Sequence, residues 1–267
     1  MEKKLEVSVI SPVFNERENL KTFVDSVTKV MHSTGMSWEL IVVDDGSDDG
    51  STTVIKELTN QDNIKCLLLA KNYGQTTAIQ AGFDNAIGKY LVTLDSDLQN
   101  DPKDIPALLH KLIEEELDLV VGWRKNRKDN YFLRNLPSSI ANKLIGNITG
   151  VKLHDYGCSL KAYRADVLKE VRLYGEMHRF IPAWMATKIP ASKISELVVT
   201  HHPRIAGKSK YGISRTFRVF VDLISVYFFM RFFSRPGHFF GLIGLLLSSI
   251  GSCLLYTSPS PRDPIGS

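Results

Sequence analysis

The chain has 267 residues, 43% of them hydrophobic, and 33 lysines and arginines against 29 aspartates and glutamates leave a formal charge of +4. That balance is too mild for a nucleic-acid-binding surface, and the excess is local: Lys208, Lys210, Arg215, Arg218, Arg231 and Arg235 crowd ahead of an apolar C-terminal stretch. Cys66, Cys158 and Cys253 lie far apart with no Cys-x-x-Cys pair, which argues against a disulfide scaffold or zinc site and fits a reducing compartment.

Met1-Glu2-Lys3-Lys4 leads straight into a strand pattern and lacks the apolar core of a signal peptide. Residues 7–14 read as a buried strand, and 19–31 as a helix with Leu20, Phe23, Val24, Val27 and Val30 on one side. A second strand over 39–43 is followed by a helix from Ser51, and a third strand over 64–69 by a helix over 75–87. The run 89–94 is a strand, 105–116 a helix and 117–121 a fifth strand. Strands separated by helices of this length imply right-handed crossovers and a mostly parallel sheet. Functional loops then gather at the carboxyl ends of the strands.

Polar clusters do follow the strands. Asp95-Ser96-Asp97, with Gln99, stands where the run 89–94 stops. If the chain stays extended, residues two apart share a side, so Asp95, Asp97 and Gln99 offer their oxygens together. Two carboxylates and an amide suit Mg²⁺ or Mn²⁺, ions that complete their shell with water and substrate phosphate. A diphosphate neutralised in this way is the leaving group that sugar transfer from a nucleotide-sugar requires. An isolated Asp-x-Asp is more often a solvated strand end, so its neighbours decide.

Pro12-Val13-Phe14-Asn15-Glu16 reads by itself as a strand exit and helix start, and Asp44-Asp45-Gly46-Ser47 as a glycine turn. Both end neighbouring strands, so their carboxylates converge on one crevice, where they can accept hydrogen bonds from a base or a ribose. Lys71-Asn72-Tyr73-Gly74-Gln75 opens a helix whose first N–H groups could orient a polar ligand. His201-His202 falls in a late strand on opposite faces, which argues against a shared metal. His178-Arg179-Phe180 fits a place near an acceptor or an ordinary helix start. Cys158 reads as a packed residue, and 124–129 as a solvated loop or a lid meeting anionic lipid.

Taken in order and spacing, these clusters resemble the GT-A family 2 glycosyltransferases. With Asp155-Tyr156-Gly157-Cys158-Ser159-Leu160-Lys161-Ala162-Tyr163-Arg164 and Gly207-Lys208-Ser209-Lys210-Tyr211, the likeness narrows to the polyprenyl-phosphate glycosyltransferases, such as dolichol-phosphate mannose synthase and the bacterial undecaprenyl-phosphate sugar transferases. The resemblance implies a GT-A, Rossmann-like α/β domain with helices on both faces of the sheet. Pro12, Phe14, Glu16, Val43 and Asp45 would hold the base and ribose of the donor, and Asp95, Ser96 and Gln99 would complete the nucleotide-sugar site. Asp95, Asp97 and Gln99 would bind Mg²⁺ or Mn²⁺. Arg124 would contact donor or acceptor phosphate, while Arg134, Ser138, Arg204, Ser209 and Lys210 would receive the lipid phosphate. Asp97, Asp155 and Arg124 form the catalytic set. Asp155 either orients the acceptor and acts as a weak base, or forms a salt bridge with Lys161 or Arg164. Phe14 replaces a commoner tyrosine, losing a hydroxyl and keeping the ring, and Trp123 stands where a small residue is usual, which would narrow the site.

Toward the C-terminus, residues 213–233 are too apolar for a surface helix and too charged for a span, so an interfacial helix fits. Residues 239–256 carry no charge and come close to the ~20 needed to cross a bilayer. Basic residues before them put the catalytic domain on the cytoplasmic side, at a bacterial inner membrane if the resemblance holds. The chain thus divides into a catalytic domain (1–211), an interfacial region (212–235), a transmembrane helix (236–256) and a polar tail (257–267) that reads as non-native, resembling translated cloning sequence. The expected activity is inverting transfer of one sugar from a UDP- or GDP-sugar to a polyprenyl phosphate, undecaprenyl or dolichyl, with the bilayer as a partner and homo-oligomerisation left open. The alternatives are a processive polysaccharide synthase, whose Gln-x-x-Arg-Trp motif is missing from the sequence, and an idle nucleotide-sugar-binding module.

Overall fold

The computed structural model describes residues 5–59, 62–125, 145–146, 150–168, 171–173, 175, 177–203, 225, 227–228, 232 and 235–257. The chain separates into two compact units, residues 1–220 and 221–267. Among the described residues of the first unit, seven strands form one sheet in the order β3-β2-β1-β4-β6-β5-β7. They are β1 (Val7–Val13), β2 (Trp38–Asp44), β3 (Ile64–Leu68), β4 (Tyr90–Thr93), β5 (Leu119–Trp123), β6 (Lys161–Arg164) and β7 (Ile194–Val198). The helices between them are α1 (Arg17–Ser33), α2 (Ser51–Leu58), α3 (Gln75–Asn85), α4 (Ile105–Glu114), α5 (Ala165–Leu168) and α6 (Ile181–Met185).

The central strands are apolar on both faces because helices cover both, the pattern of a buried parallel sheet. Val7, Val9, Ile10, Leu40, Ile41, Val42, Val43 and Val92 have at most 1% of their surface exposed. α1 buries Leu20, Phe23, Val24, Val27 and Met31 at helical spacing. Each such side chain contributes on the order of 1.5–3 kcal/mol. Val30, expected on that stripe, is only half-buried, and Met31, one position on, fills the place.

β1 pairs in parallel with β2 and β4, β2 with β3, and β5 with β7. β6 departs from this rule. It runs antiparallel to both neighbours, with Lys161 opposite Thr93 of β4 and Val121 of β5. The sheet is therefore mostly parallel with one reversed strand that the sequence pattern did not reveal. The reversal matters for function, because the amino end of β6 sits at the carboxyl ends of β4 and β5. The loop 155–160 is delivered to the same edge as the acidic loops. Strand order also switches direction at β1, with β2 and β3 on one side and β4 on the other, the place where open α/β sheets form their ligand crevice.

The second unit contains α7 (Pro236–Thr257), long and apolar enough to cross a membrane, with 0% of its apolar window buried and a mean hydropathy of 1.9. The interfacial helix expected over 213–233 and the tail lie almost wholly outside the described residues.

α3 crosses β1 so closely that a Cβ on Gly82 would stand 2.3 Å from Ile10 Cγ2. Gly82→Ala is expected to cost about 1–3 kcal/mol through overpacking, read as a lower thermal midpoint of the detergent-solubilised chain. An unchanged midpoint would mean that α3 sits farther from the sheet.

Candidate active site

The exits of β1 and β2 are tied side chain to backbone. Asn15 takes a left-handed conformation, φ 56°, tolerable for asparagine. Its N–H donates to Ser47 Oγ at 3.0 Å and its Nδ2 to Asp48 Oδ1 at 2.7 Å, while Asp48 N–H donates back to Asn15 Oδ1 at 3.0 Å. Glu16 N–H donates to Ser51 Oγ at 3.1 Å, and the Glu16 carboxylate accepts from Asn19 Nδ2 at 2.7 Å. The strand-exit and helix-start functions of these residues are thus real, and they also fix the two loops to each other. Pro12 and Phe14 are half-buried at this edge, and Val43 is a fully buried strand residue beside Pro12.

Asp45 faces the third loop. Its carboxylate accepts from Tyr73 N–H at 2.7 Å and Gly74 N–H at 2.8 Å. Burial raises its pKa despite these two bonds. Asp45 thus engages the two N–H groups that immediately precede α3, and the N–H groups of the helix's own first turn are not among its partners. The turn that makes this possible needs Gly46: its φ is +71°, and a Cβ there would lie 2.4 Å from the backbone of Lys71. One residue into α3, Gln75 Nε2 donates to Asp95 Oδ1 at 2.8 Å. Three loops are in this way linked to the acidic pair.

β4 ends at Thr93, and residues 96–98 turn rather than continuing extended. Leu98 is left-handed at φ 60°, and Asp97 Oδ1 accepts from Gln99 N–H at 3.1 Å, a side-chain-stabilised turn. The alternation expected of an extended strand is replaced by this turn, which nonetheless keeps the two carboxylates together: burial, then the neighbouring Asp97 charge, pushes Asp95 up to about 6. Ser96 is buried and places Oγ 3.5 Å from Pro12 O. Among the described residues no three His, Cys, Asp or Glu side chains group to hold an ion. A metal here would draw on two carboxylates, the Gln99 amide and oxygens from outside the protein. A buried Asp97 beside a half-buried Asp95 is a donor set that fits a hard divalent cation.

The cations arrive from β5 and β6. Arg124, just past β5, makes a two-pronged pair with Asp155: Nε to Oδ2 at 2.7 Å and a terminal nitrogen to Oδ1 at 2.9 Å. Burial opposes the guanidinium charge, and the Asp155 hydrogen bonds outweigh it, so the proton is held more tightly than usual. Lys161, 2% exposed, donates Nζ to Cys158 O, and burial lowers its pKa. Both cations oppose the rise at Asp95. Acidic and basic groups therefore share one crevice. The salt bridge weighed for Asp155 with Lys161 or Arg164 is corrected: Asp155 pairs with Arg124, while Arg164 lies 3.8 Å from Asp118. Arg134, Ser138, Arg204, Ser209 and Lys210 lie outside the described residues.

Sequence reasoning missed Lys161, Gln75, Ser159 and Asn100 as members of this cluster. The Ser159 side chain counters the rise at Asp95, and its Oγ accepts from Asn100 Nδ2 at 2.8 Å. The available signal was the interruption of Leu160-Lys161-Ala162 by a charge. His202 does not continue a strand: β7 stops at Val198, His201 bridges Asn100, and His202 N–H donates to Gln99 O at 2.7 Å.

The family model described as glycosyl transferase family 2 matches residues 8–172. The chain is 55% identical over 253 residues to dodecaprenyl-phosphate galacturonate synthase of Rhizobium johnstonii, covering 94% of this chain and 75% of that protein. It is 38% identical over 246 residues to undecaprenyl-phosphate 4-deoxy-4-formamido-L-arabinose transferase of Yersinia pestis, covering 91% and 74%. In fold it is similar to glucosyl-3-phosphoglycerate synthase of Mycobacterium tuberculosis crystallised with Mn²⁺, UDP-glucose and phosphoglyceric acid: TM-score 0.63, 17% identity, 85% of this chain and 79% of that one. The sheet and helices accordingly form a GT-A fold.

His178, in the 3-10 turn Met177–Phe180 that leads into α6, is buried with Nδ1 2.6 Å from Thr76 Oγ1 of α3. Burial, then Arg179, lowers its pKa from 6.5 to about 3. A histidine depressed on folding contributes stability that is complete above its unfolded value and is lost as pH falls toward its folded one. Unfolding is therefore expected at lower denaturant at about pH 5 than at about pH 7.5, and His178→Gln should flatten that difference. An identical drop in both proteins would assign it to another group.

Proposed function

The chain belongs to glycosyl transferase family 2, and we propose that it transfers one hexuronic acid residue, galacturonate, from a nucleoside-diphosphate donor to a polyprenyl phosphate of the dodecaprenyl or undecaprenyl type, with inversion. The observation that carries this reading is the meeting of Asp95 and Asp97 with the Arg124–Asp155 pair and Lys161 in one crevice. The uronate follows from the more similar of the two relatives, and the second relative supports the same acceptor chemistry with a different sugar.

The reaction brings two anions together, the donor diphosphate and the acceptor phosphate. One pair of like unit charges at ~4 Å costs roughly 4 kcal/mol at an effective dielectric near 20. Asp95, Asp97 and Gln99 would hold Mg²⁺ or Mn²⁺, which when bound neutralises the diphosphate as it leaves. Arg124 supplies fixed positive charge from the opposite wall, and Asp155 keeps that guanidinium oriented. The acceptor phosphate has a second pKa of ~6, so it is ionised near neutral pH and attacks the anomeric carbon without a protein base. Asp155, engaged by Arg124 through both oxygens, therefore serves better as the orienting group than as the base. Asp45 locks the third loop behind the donor side, and Pro12, Phe14, Glu16 and Ser96 line it. Arg134, Ser138, Arg204, Ser209 and Lys210 complete the acceptor side, while residues 212–235 lie on the membrane and α7 anchors the chain with its catalytic unit in the cytoplasm.

Purified full chain given Mn²⁺, undecaprenyl phosphate and either UDP-galacturonic acid or other nucleotide-sugars is expected to form a lipid carrying one uronate, read by mass spectrometry of the extract. A polymer, or a neutral or amino sugar in its place, would overturn the assignment. Asp97→Asn is expected to lower turnover by about 10²–10³-fold with the thermal midpoint unchanged; near-normal turnover would remove Asp97 from its metal role.

A further inference from the structure

Two consecutive residues of one segment meet two consecutive residues of another beside the site. Arg124 pairs with Asp155, and the preceding Trp123 stacks on the preceding His154, ring centroids 4.0 Å apart and planes 13° from parallel. His154 is itself fixed: its N–H donates to Glu196 Oε2 at 2.8 Å, and its Nδ1 contacts Glu196 Oε1. The sheet explains why these groups can meet. β5 and β7 are parallel with Val121 opposite Glu196 and Trp123 opposite Val198, so Trp123 and Glu196 lie on the same face, one pleat apart. His154 reaches from the loop across both. Lys125 Nζ stands 5.5 Å from the centroid of the same indole.

We infer that His154, clamped by Glu196 and stacked on Trp123, is a positioning residue that sets the direction in which the Arg124 guanidinium is presented to the reacting phosphates. Asp155 orients the guanidinium, and its Oδ2 also accepts from the Arg124 backbone N–H at 3.4 Å, but an arginine has several rotatable bonds and the carboxylate is carried on a loop, so the pair keeps a pivot about that loop. Joining the residue before each partner through a flat stack, and anchoring that stack to a strand through Glu196, removes the pivot. Trp123 then has a reason to be large where the family resemblance led us to expect a small residue: it is the platform of this brace.

This inference rests on the transfer reaction proposed above, so the test separates the two. Full-length wild type, His154→Ala, His154→Phe and Glu196→Ala are compared in lipid-product kinetics and thermal midpoint, and by the ¹⁵N signal of the Arg124 Nε–H, assigned with Arg124→Lys. His154→Ala is expected to lower kcat roughly 10–100-fold, the scale of a small misplacement near the chemistry, with the donor KM within about twofold. The ring retained in His154→Phe should restore most of kcat, and Glu196→Ala should fall between. The Arg124 signal, slow to exchange in wild type, should be lost in His154→Ala. Wild-type kcat in His154→Ala, or equal losses in the Ala and Phe variants, would overturn the brace. Wild type that forms no lipid product would defeat the proposed reaction instead; the Arg124 signal then decides alone, its persistence in His154→Ala overturning the inference and its loss supporting it.

Discussion

Desolvation and the neighbouring Asp97 charge both oppose the ionisation of Asp95. A protein keeps such a pair only if charge of the other sign is built nearby or arrives with a ligand. Arg124 and Lys161 supply such charge from within, Lys161 at the start of β6 beside β4 and Arg124 past the end of β5, one strand farther out, and a divalent ion would supply the rest. The reversed strand β6 is the structural requirement: running antiparallel, it brings Lys161 and the loop carrying Asp155 and Ser159 to the edge where β1, β2 and β4 release their acidic loops.

The same electrostatics assigns work to the remaining polar groups. Asp45 and Gln75 do not wait for ligands; they join the third loop to the second and to Asp95. A crevice meant to receive two highly charged reactants is better made rigid beforehand than assembled by them, because reorganisation during reaction costs barrier height. The acidic side is therefore preorganised by hydrogen bonds between loops, and the cationic side by the Arg124–Asp155 pair.

What the sequence made legible follows physical range. The first five strands, the amphipathic α1 and the turn chemistry of Gly46 depend on neighbours a few residues apart, and their pattern reads directly. The acidic cluster was also legible as chemistry, yet its conformation was not: nothing about leucine announces the left-handed Leu98 that turns the chain between Asp97 and Gln99. Asp155 and Arg124 lie 31 positions apart, and a choice among three nearby cations is decided by strand order, not by spacing. β6 is only four residues long and carries two charges, too little pattern to be recognised as a strand. The stack of Trp123 on His154 has the same origin, a contact created by topology.

The lacing of Asn15 to Ser47 and Asp48, and of Glu16 and Arg17 to Ser51 and Asp49, makes the first two loops one mechanical body. Grafting either alone from a relative would strand donors and acceptors in the other. Changes of nucleotide preference on this scaffold should consequently be inherited as matched sets spanning both segments, and chimaeras cut between them should fold poorly even where each half is native to a working enzyme.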